Sequence, residues 1–569
     1  MKKPVISFEN FGFRYDAQAE PTLFDINLHI YEGEKILICG PSGCGKSTLM
    51  HCINGLIPAS YTGEMSGRLS ICGEDCAGQD IFARSKTIGT VLQDSDGQFV
   101  GLSVGEDIAF ALENDGVSLE DMRRRVRETA ALVGMERFLT QAPFELSGGQ
   151  KQRVSLAGVL VDDVKILLFD EPLANLDPAA GKSTIELIDR IHKESGRTVI
   201  IVEHRLEDVL HRDVDRVILM AEGRIVADMT PDELLSSELL RENGIREPLY
   251  ITALKYAGVK VDGELHPGRI DSLKLTEKDV EKVRAWYRSV PEAPKKPETE
   301  EIFRAEGINF SYTAGKRVLS GIDLSLRRGE MISIVGRNGA GKSTFSKLIC
   351  GFEKPESGTM TMLGRDISGD SIKERAEHVG YVMQNPNQMI SRTMIADEVG
   401  LGLVMRGCSA EETDAAVSEA LKVCGLYEFR SWPISALSYG QKKRVTVASI
   451  LSMKPEIVIL DEPTAGQDFR HYTEIMEFLR ELNEAGATIV LITHDMHLML
   501  EYSSRAVVFS EGHKIADCSC AQVLTDPEIV EQASLKETSL SALARLCGID
   551  SGREFVRRFI EYDRGVRER

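Results

Sequence analysis

Ile36-Leu37-Ile38-Cys39 runs straight into Gly40-Pro41-Ser42-Gly43-Cys44-Gly45-Lys46-Ser47-Thr48. Ile332-Ser333-Ile334-Val335 likewise runs into Gly336-Arg337-Asn338-Gly339-Ala340-Gly341-Lys342-Ser343-Thr344. A short apolar run, a glycine-rich loop ending in Lys-Ser and a helix-like segment behind it make the pattern of a phosphate loop. The glycines let backbone N–H groups converge on phosphate oxygens, helped by the positive end of the following helix. Lys46 and Lys342 are expected on the β- and γ-phosphates, and Ser47 and Ser343 on Mg²⁺. One such loop points to nucleotide binding; two point to a duplicated unit.

The rest of the chain carries the same duplication. Gln93, Ser147, Asp170, Glu171 and Asp177 recur as Gln384, Ser438, Asp461, Glu462 and Asp468, each pair 291 positions apart. His204 and His494 are 290 apart, and Lys46 and Lys342 are 296 apart. Ordered elements repeated in register mean one folded unit written twice.

The apolar runs set the fold class. Ile166–Phe169 and Val199–Val202 join Ile36–Cys39 in the first half; Ile457–Leu460 and Ile489–Ile492 join Ile332–Val335 in the second. Continuous apolar runs bounded by polar turns predict strands buried on both faces, hence α/β domains with a mostly parallel sheet under helices. The organisation predicted is a first domain over 1–232, a helical appendage over 233–290, a linker over 291–301, a second domain over 302–523 and a C-terminal helical appendage over 524–569. The linker is marked by Pro291, Pro294 and Pro297 among few apolar residues.

With 569 residues, 42% hydrophobic and 27% charged, the chain is too long for one core and too apolar for disorder. The formal net charge of −20 argues against a nucleic-acid-gripping protein. No run approaches the ~20 apolar residues that span a bilayer, and Met1-Lys2-Lys3-Pro4 leads into a strand-like segment rather than a signal core. The chain is therefore expected to stay on the side where it is made, docking on membrane proteins at most. The eleven cysteines lack zinc spacing and are expected to be reduced and structural.

Asp170-Glu171-Pro172 and Asp461-Glu462-Pro463 stand at the ends of apolar runs, the sheet edge at which ligands bind. There Asp170 and Asp461 would hold Mg²⁺, and Glu171 and Glu462 would orient or deprotonate the attacking water. Leu146-Ser147-Gly148-Gly149-Gln150 and Leu437-Ser438-Tyr439-Gly440-Gln441 each precede a basic helix start. With these, the chain from Phe8 to about Ala516 resembles the ATP-binding cassette (ABC) ATPases. That resemblance implies two P-loop NTPase domains of ABC type, each with a helical signature subdomain. It also implies two composite ATP sites through intramolecular pairing, one joining Lys46 to Ser438, Gly440 and Gln441, the other joining Lys342 to Ser147, Gly149 and Gln150.

The resemblance assigns further roles. Tyr15 and Tyr312 would stack on adenine, Gln93 and Gln384 would contact Mg²⁺, and His204 and His494 would contact the γ-phosphate. Asp177 and Asp468 would communicate between sites. Tyr439 departs from the second signature glycine, so the Lys46 site is expected to turn over differently. Cys44, inside the first loop, is expected to be an alkylation site protected by ATP.

Gln384-Asn385-Pro386-Asn387-Gln388 is similar to a stretch found in energy-coupling-factor (ECF) transporter ATPases, and Gln93–Val100 matches it more loosely. The function this implies is the ATP-hydrolysing motor of an importer for a vitamin, a vitamin precursor or a metal ion. Its partners would be a membrane scaffold subunit and a membrane substrate-binding subunit, at the cytoplasmic face of the membrane. The alternative is a soluble tandem-cassette ATPase acting on ribosomes or nucleic acid; the acidic chain and the mixed-charge linker weigh against it.

Overall fold

The computed structural model describes residues 3–93, 96–174, 176–291, 299–313, 315–464 and 469–567. The chain divides into two compact units, Met1–Trp286 and Tyr287–Arg569. Among the described residues no helix is long and apolar enough to cross a membrane.

In the first unit a six-stranded sheet runs in the order Arg224–Met229, Arg216–Ala221, Lys35–Cys39, Thr198–Val202, Ile166–Asp170, Ile88–Val91. Every neighbouring pair is parallel except the edge hairpin Arg216–Ala221/Arg224–Met229. All five residues of Lys35–Cys39 and of Thr198–Val202 are buried, as continuous apolar runs demand. The second unit repeats this sheet with Met331–Gly336, Ile457–Asp461 and Thr488–Ile492 at its centre.

Each unit also carries a smaller antiparallel sheet that the apolar runs did not announce. In the first it is Leu23–Tyr31, Pro4–Tyr15, Gly63–Ile71 and Glu74–Asp75; in the second it is built on Glu301–Thr313 and Lys316–Arg327. Leu23–Tyr31 alternates buried and exposed positions, the period-two signature of a sheet with one face in the core. Phe8, Phe13, Leu28 and Ile30 from this sheet meet Ile36, Ile38, Leu168 and Ile200 of the larger one, with Leu49 and Ile53 of the helix Lys46–Asn54 in the same core. The two sheets thereby clamp the helix behind the phosphate loop. Truncating fully buried Leu49 to Ala would cost about 2–5 kcal/mol, the usual toll of a core cavity.

A buried arginine locks the far end of that helix in both units. Arg84 donates to the carbonyls of Cys52 and Cys76, and Arg375 to those of Leu348, Ile349 and Ile367. The contacts to Cys52, Leu348 and Ile349 satisfy carbonyls that a helix C-terminus leaves without partners, and those to Cys76 and Ile367 tie the helix end to a neighbouring segment.

The helical subdomain of the first unit is Val104–Asn114, Leu119–Leu132 and Gly148–Leu160; that of the second is Ile395–Met405, Ala410–Val423 and Tyr439–Leu451. Capping boxes at Ser103/Glu106, Ser147/Gln150, Ser409/Glu412 and Ser438/Gln441 start four of these helices. Each repeat then continues into further helices, the last of them Glu277–Ser289 and Gly552–Arg567.

Candidate functional site

The phosphate loops begin where the central strand stops. At Gly40 (φ 156°) a Cβ would sit 2.2 Å from the Met220 carbonyl oxygen, and at Gly336 (φ 137°) 2.0 Å from that of Phe509. Only glycine fits so close to a neighbouring backbone. Lys46 Nζ donates to the carbonyls of Gly40 (2.8 Å) and Pro41 (2.9 Å); Lys342 Nζ donates to those of Gly336 (2.8 Å) and Arg337 (3.0 Å). Both ammonium groups are buried against the loop that is to receive phosphate.

Cys44 corrects an expectation. Its side chain is 3% exposed, 3.8 Å from Lys46 Nζ, and burial pushes the thiol pKa up although Lys46 opposes this. A buried thiol held protonated is a poor alkylation target.

Asp170 and Asp461 end their strands, and the next residue in each unit takes a left-handed backbone: Glu171 at φ 45° and Glu462 at φ 46°. A non-glycine residue pays strain to sit there, and such strain gathers at functional sites. The Glu171 N–H donates to Val202 O and the Glu462 N–H to Ile492 O, both at 2.9 Å, tying each turn to the adjacent strand.

In the first unit Gln93 Nε2 donates to Glu171 Oε2 at 2.6 Å, and His204 Nδ1 stands 3.8 Å from Glu171 Oε1. In the second, His494 Nδ1 is 2.8 Å from Glu462 Oε1. Burial, reinforced by the Glu171 charge, pushes the Asp170 carboxyl up to about 6. Burial also raises Glu171, but the hydrogen bond and charge of His204, with Lys46, bring it below its ordinary value. Burial pulls His204 down, and Glu203 and Glu171 more than reverse it. The first unit thus holds one carboxyl raised and its neighbour lowered, so the two adjacent acids sit in different electrostatic settings.

The residues fit a Mg²⁺ ion. Asp170 Oδ1 is buried and has no hydrogen-bond partner among the described residues. Asp461, raised chiefly by burial, accepts from Tyr381 Oη at 2.8 Å and is hydrogen-bonded by Ser343. Buried carboxylate and serine oxygens are the hard donor set that Mg²⁺ takes.

Other predicted residues fall around these. Tyr15 Oη lies 3.1 Å from Thr48 Oγ1 and Tyr312 Oη 3.3 Å from Thr344 Oγ1, so each tyrosine stands beside its own phosphate-loop helix. Ser147 and Ser438 cap their helices, and Gln150 and Gln441 fold back onto the Ser147 and Ser438 N–H groups at 2.9 and 3.0 Å. Asp177 caps the helix Pro178–Ser195 through the Ala180 N–H at 2.9 Å. Asp468 lies outside the described residues, as does most of the linker.

Further groups, beyond the predicted site residues, brace these. Lys443, 2% exposed, donates to the carbonyls of Met383 (2.7 Å) and Gln384 (2.8 Å), and Tyr439 Oη donates to the Gln384 carbonyl at 3.3 Å. Burial pulls the Lys443 ammonium down to about 8 against the pull of Asp461 and Glu462. Asp107 accepts from the Val100 and Gly101 N–H groups, and Glu398 accepts from those of Ser391 and Arg392, each pinning the segment after its glutamine. Glu203 and Tyr381 are the others. Glu398 stands 291 positions after Asp107, a signal the repeat offered.

Comparison with known proteins supplies the context. The ABC transporter family profile matches residues 23–174 and 319–465. A second profile, described as an ATP-binding cassette cobalt transporter, matches residues 237–310. An ABC transporter ATP-binding protein of Clostridium perfringens is 57% identical over 566 residues, covering 100% of both chains. One from Enterococcus faecalis is 55% identical over 568 residues with 100% of both covered, and one from Vibrio parahaemolyticus is 53% identical with 99% and 97% covered. A solved structure described as cbiO1 from Clostridium perfringens, part of the ABC transporter complex cbiONQ, is 33% identical, covers 44% of this chain and 98% of that one, and has a TM-score of 0.39.

Proposed function

The chain belongs to the ATP-binding proteins of ABC transporters, and we propose that it is the ATP-hydrolysing motor of an ECF-type importer, with a catalytic centre in each cassette. The observation that carries the catalytic part is the glutamate held in a left-handed turn against the site histidine, Glu171 with His204 and Glu462 with His494.

In this reading Lys46 and Lys342 leave their loop carbonyls for the β- and γ-phosphate oxygens, and the loop N–H groups cradle the rest. Tyr15 and Tyr312 stack on adenine. Glu171 and Glu462 align and deprotonate the attacking water, and the histidines bind the γ-phosphate as it separates. Ser47, Asp170 and Gln93 in the first cassette, and Ser343, Asp461 and Gln384 in the second, would hold Mg²⁺, which would supply positive charge against the triphosphate. In the ATP-bound state Ser147 and Gly149 with Gln150, and Ser438 and Gly440 with Gln441, cap the triphosphate of the other cassette. Asp177 and Asp468 report between the two.

The importer part rests on the segments after the glutamines. Asn385 caps the turn Pro386–Gln388 through the Asn387 N–H at 3.0 Å, and exposed Val404, Met405 and Trp432 lie in the same helical subdomain. In the first unit Val100, Leu102 and Phe110, at other positions of the corresponding region, are likewise exposed. Apolar groups left in solvent beside a rigid turn suit a membrane subunit's coupling helices. The cobalt-transporter profile over the appendage agrees with an importer of a metal ion or other micronutrient. The chain would then work at the cytoplasmic face of the membrane, beside a scaffold and a substrate-binding subunit.

Detergent extraction followed by affinity purification of the full chain tests this. Recovery of stoichiometric membrane subunits is expected. Co-sedimentation with ribosomes and no membrane partner would contradict it.

A further inference from the structure

The two sites differ just before the histidine. Glu203 precedes His204 where Thr493 precedes His494. Glu203 is 0% exposed, and its carboxylate accepts from three backbone N–H groups: His204 (3.0 Å), Arg205 (3.2 Å) and Leu173 (3.3 Å). A buried acceptor-only group is tolerated when donors surround it in this way. Its Oε1 also stands 3.3 Å from His204 Nδ1, nearer than Glu171 Oε1 at 3.8 Å. Thr493 is equally buried but neutral; it accepts from the Asp495 N–H at 2.9 Å, and its Oγ1 lies 3.5 Å from Glu462 Oε2. His204 therefore faces two carboxylates, whereas the contacts of His494 give it Glu462.

We propose that Glu203 is a positioning residue of the first ATP site, holding the His204 ring by Nδ1 and favouring its protonated form, where the second site offers only the neutral Thr493 at the matching place. The inference rests on the catalytic reading above and deepens it. A protonated ring has donors at both nitrogens: Nδ1–H is engaged by the carboxylates, and Nε2–H is left to a phosphate oxygen. The charged groups acting on the ring are Glu203 and Arg205 on its own segment and Glu171 at the end of the neighbouring strand, with Arg205 opposing the other two. Lys46 also acts on Glu171.

The sign is fixed by the charge. Glu203 favours the protonated ring, so its loss makes His204 give up its proton at lower pH. Hydrolysis at the first site then loses its alkaline limb earlier, and the second site does not change.

The test is Glu203→Gln, which keeps one of the two acceptor oxygens and removes the charge. The full chain is labelled at histidine Cε1, and the His204 resonance, assigned with His204→Gln, is titrated by NMR. The same substitution is placed in a Glu462→Gln background, where turnover belongs to the first site, and the rate is followed against pH. The expected result is a His204 midpoint moved to lower pH, with more rate lost near about pH 8 than near about pH 6.5. A His204 midpoint unmoved by Glu203→Gln overturns the proposal, whatever the rates do. Thr493→Glu is the reciprocal variant, expected to move the His494 midpoint to higher pH; an unmoved midpoint there counts against the proposal even if Glu203→Gln fails to fold. Absence of ATPase activity in every background would instead overturn the catalytic reading, while the titration still decides the role of Glu203.

Discussion

Gln93 Nε2 donates to Glu171 Oε2 at 2.6 Å, joining the glutamine loop of the first cassette directly to its candidate base. A hydrogen bond to a charged carboxylate is worth about 1.5–3 kcal/mol. Gln93→Ala is therefore expected to lower first-site turnover by about 10- to 100-fold, an estimate that converts that range at 1.4 kcal/mol per tenfold. Steady-state ATPase in the Glu462→Gln background measures it; an unchanged rate would show that the contact does not align the base.

The second cassette uses a different tie. Lys443 and Tyr439 both reach the Gln384 carbonyl, while Gln152, the counterpart of Lys443, turns to the carbonyl of Pro172 and accepts from Thr184. Lys443→Met removes the ammonium and keeps the stem. Backbone amide exchange over 384–391 is expected to accelerate about tenfold or more, the cost of roughly one hydrogen bond. The matching segment of the first cassette should not respond. Equal protection of 384–391 in the variant would dismiss Lys443 as a latch.

Asp170, with its carboxyl up at about 6, gives the first site an acid limb. Its folded value is raised above the model-peptide value, so its own contribution to stability is full below ~3.9 and is lost as pH rises through about 6. Metal binding runs the other way, because it needs the carboxylate. First-site Mn²⁺ affinity, read by electron paramagnetic resonance with nucleotide present in the Glu462→Gln background, should fall about tenfold per pH unit below about 6. A flat affinity from neutrality down to about pH 5 would remove Asp170 from the metal set.

The sequence showed most plainly what the two halves share. Ile36–Cys39 and Ile332–Val335, buried throughout apart from their turns, reveal the central strands because a strand covered on both faces has no polar positions to hide it. Pro4–Tyr15 was legible as a strand but not as part of a second sheet, and Leu23–Tyr31 was not legible at all, since its apolar residues alternate with polar ones and make no run. In the site, Lys46, Asp170, Glu171 and His204 stand out because each recurs in register. Glu203, Tyr381 and Lys443 do not: Thr493, Thr90 and Gln152 hold the matching places, and a repeat reveals only where its copies agree. Gln150 and Gln441, nucleotide ligands by resemblance, also close capping boxes at their own helix starts. A capping box follows from Ser-x-x-Gln alone, so that signal was present and outweighed.

The central claim is that one chain holds two hydrolysing ATP sites, with Glu171 and Glu462 as their bases. The most direct measurement is ATP bound per chain alongside single-turnover hydrolysis for Glu171→Gln, Glu462→Gln and the double variant. Two ATP per chain are expected in the double variant, with hydrolysis slowed by about 10²–10⁴-fold, as loss of a general base entails. Each single variant should lie between the double variant and the unaltered chain. A double variant that hydrolyses ATP at the unaltered rate would contradict the account.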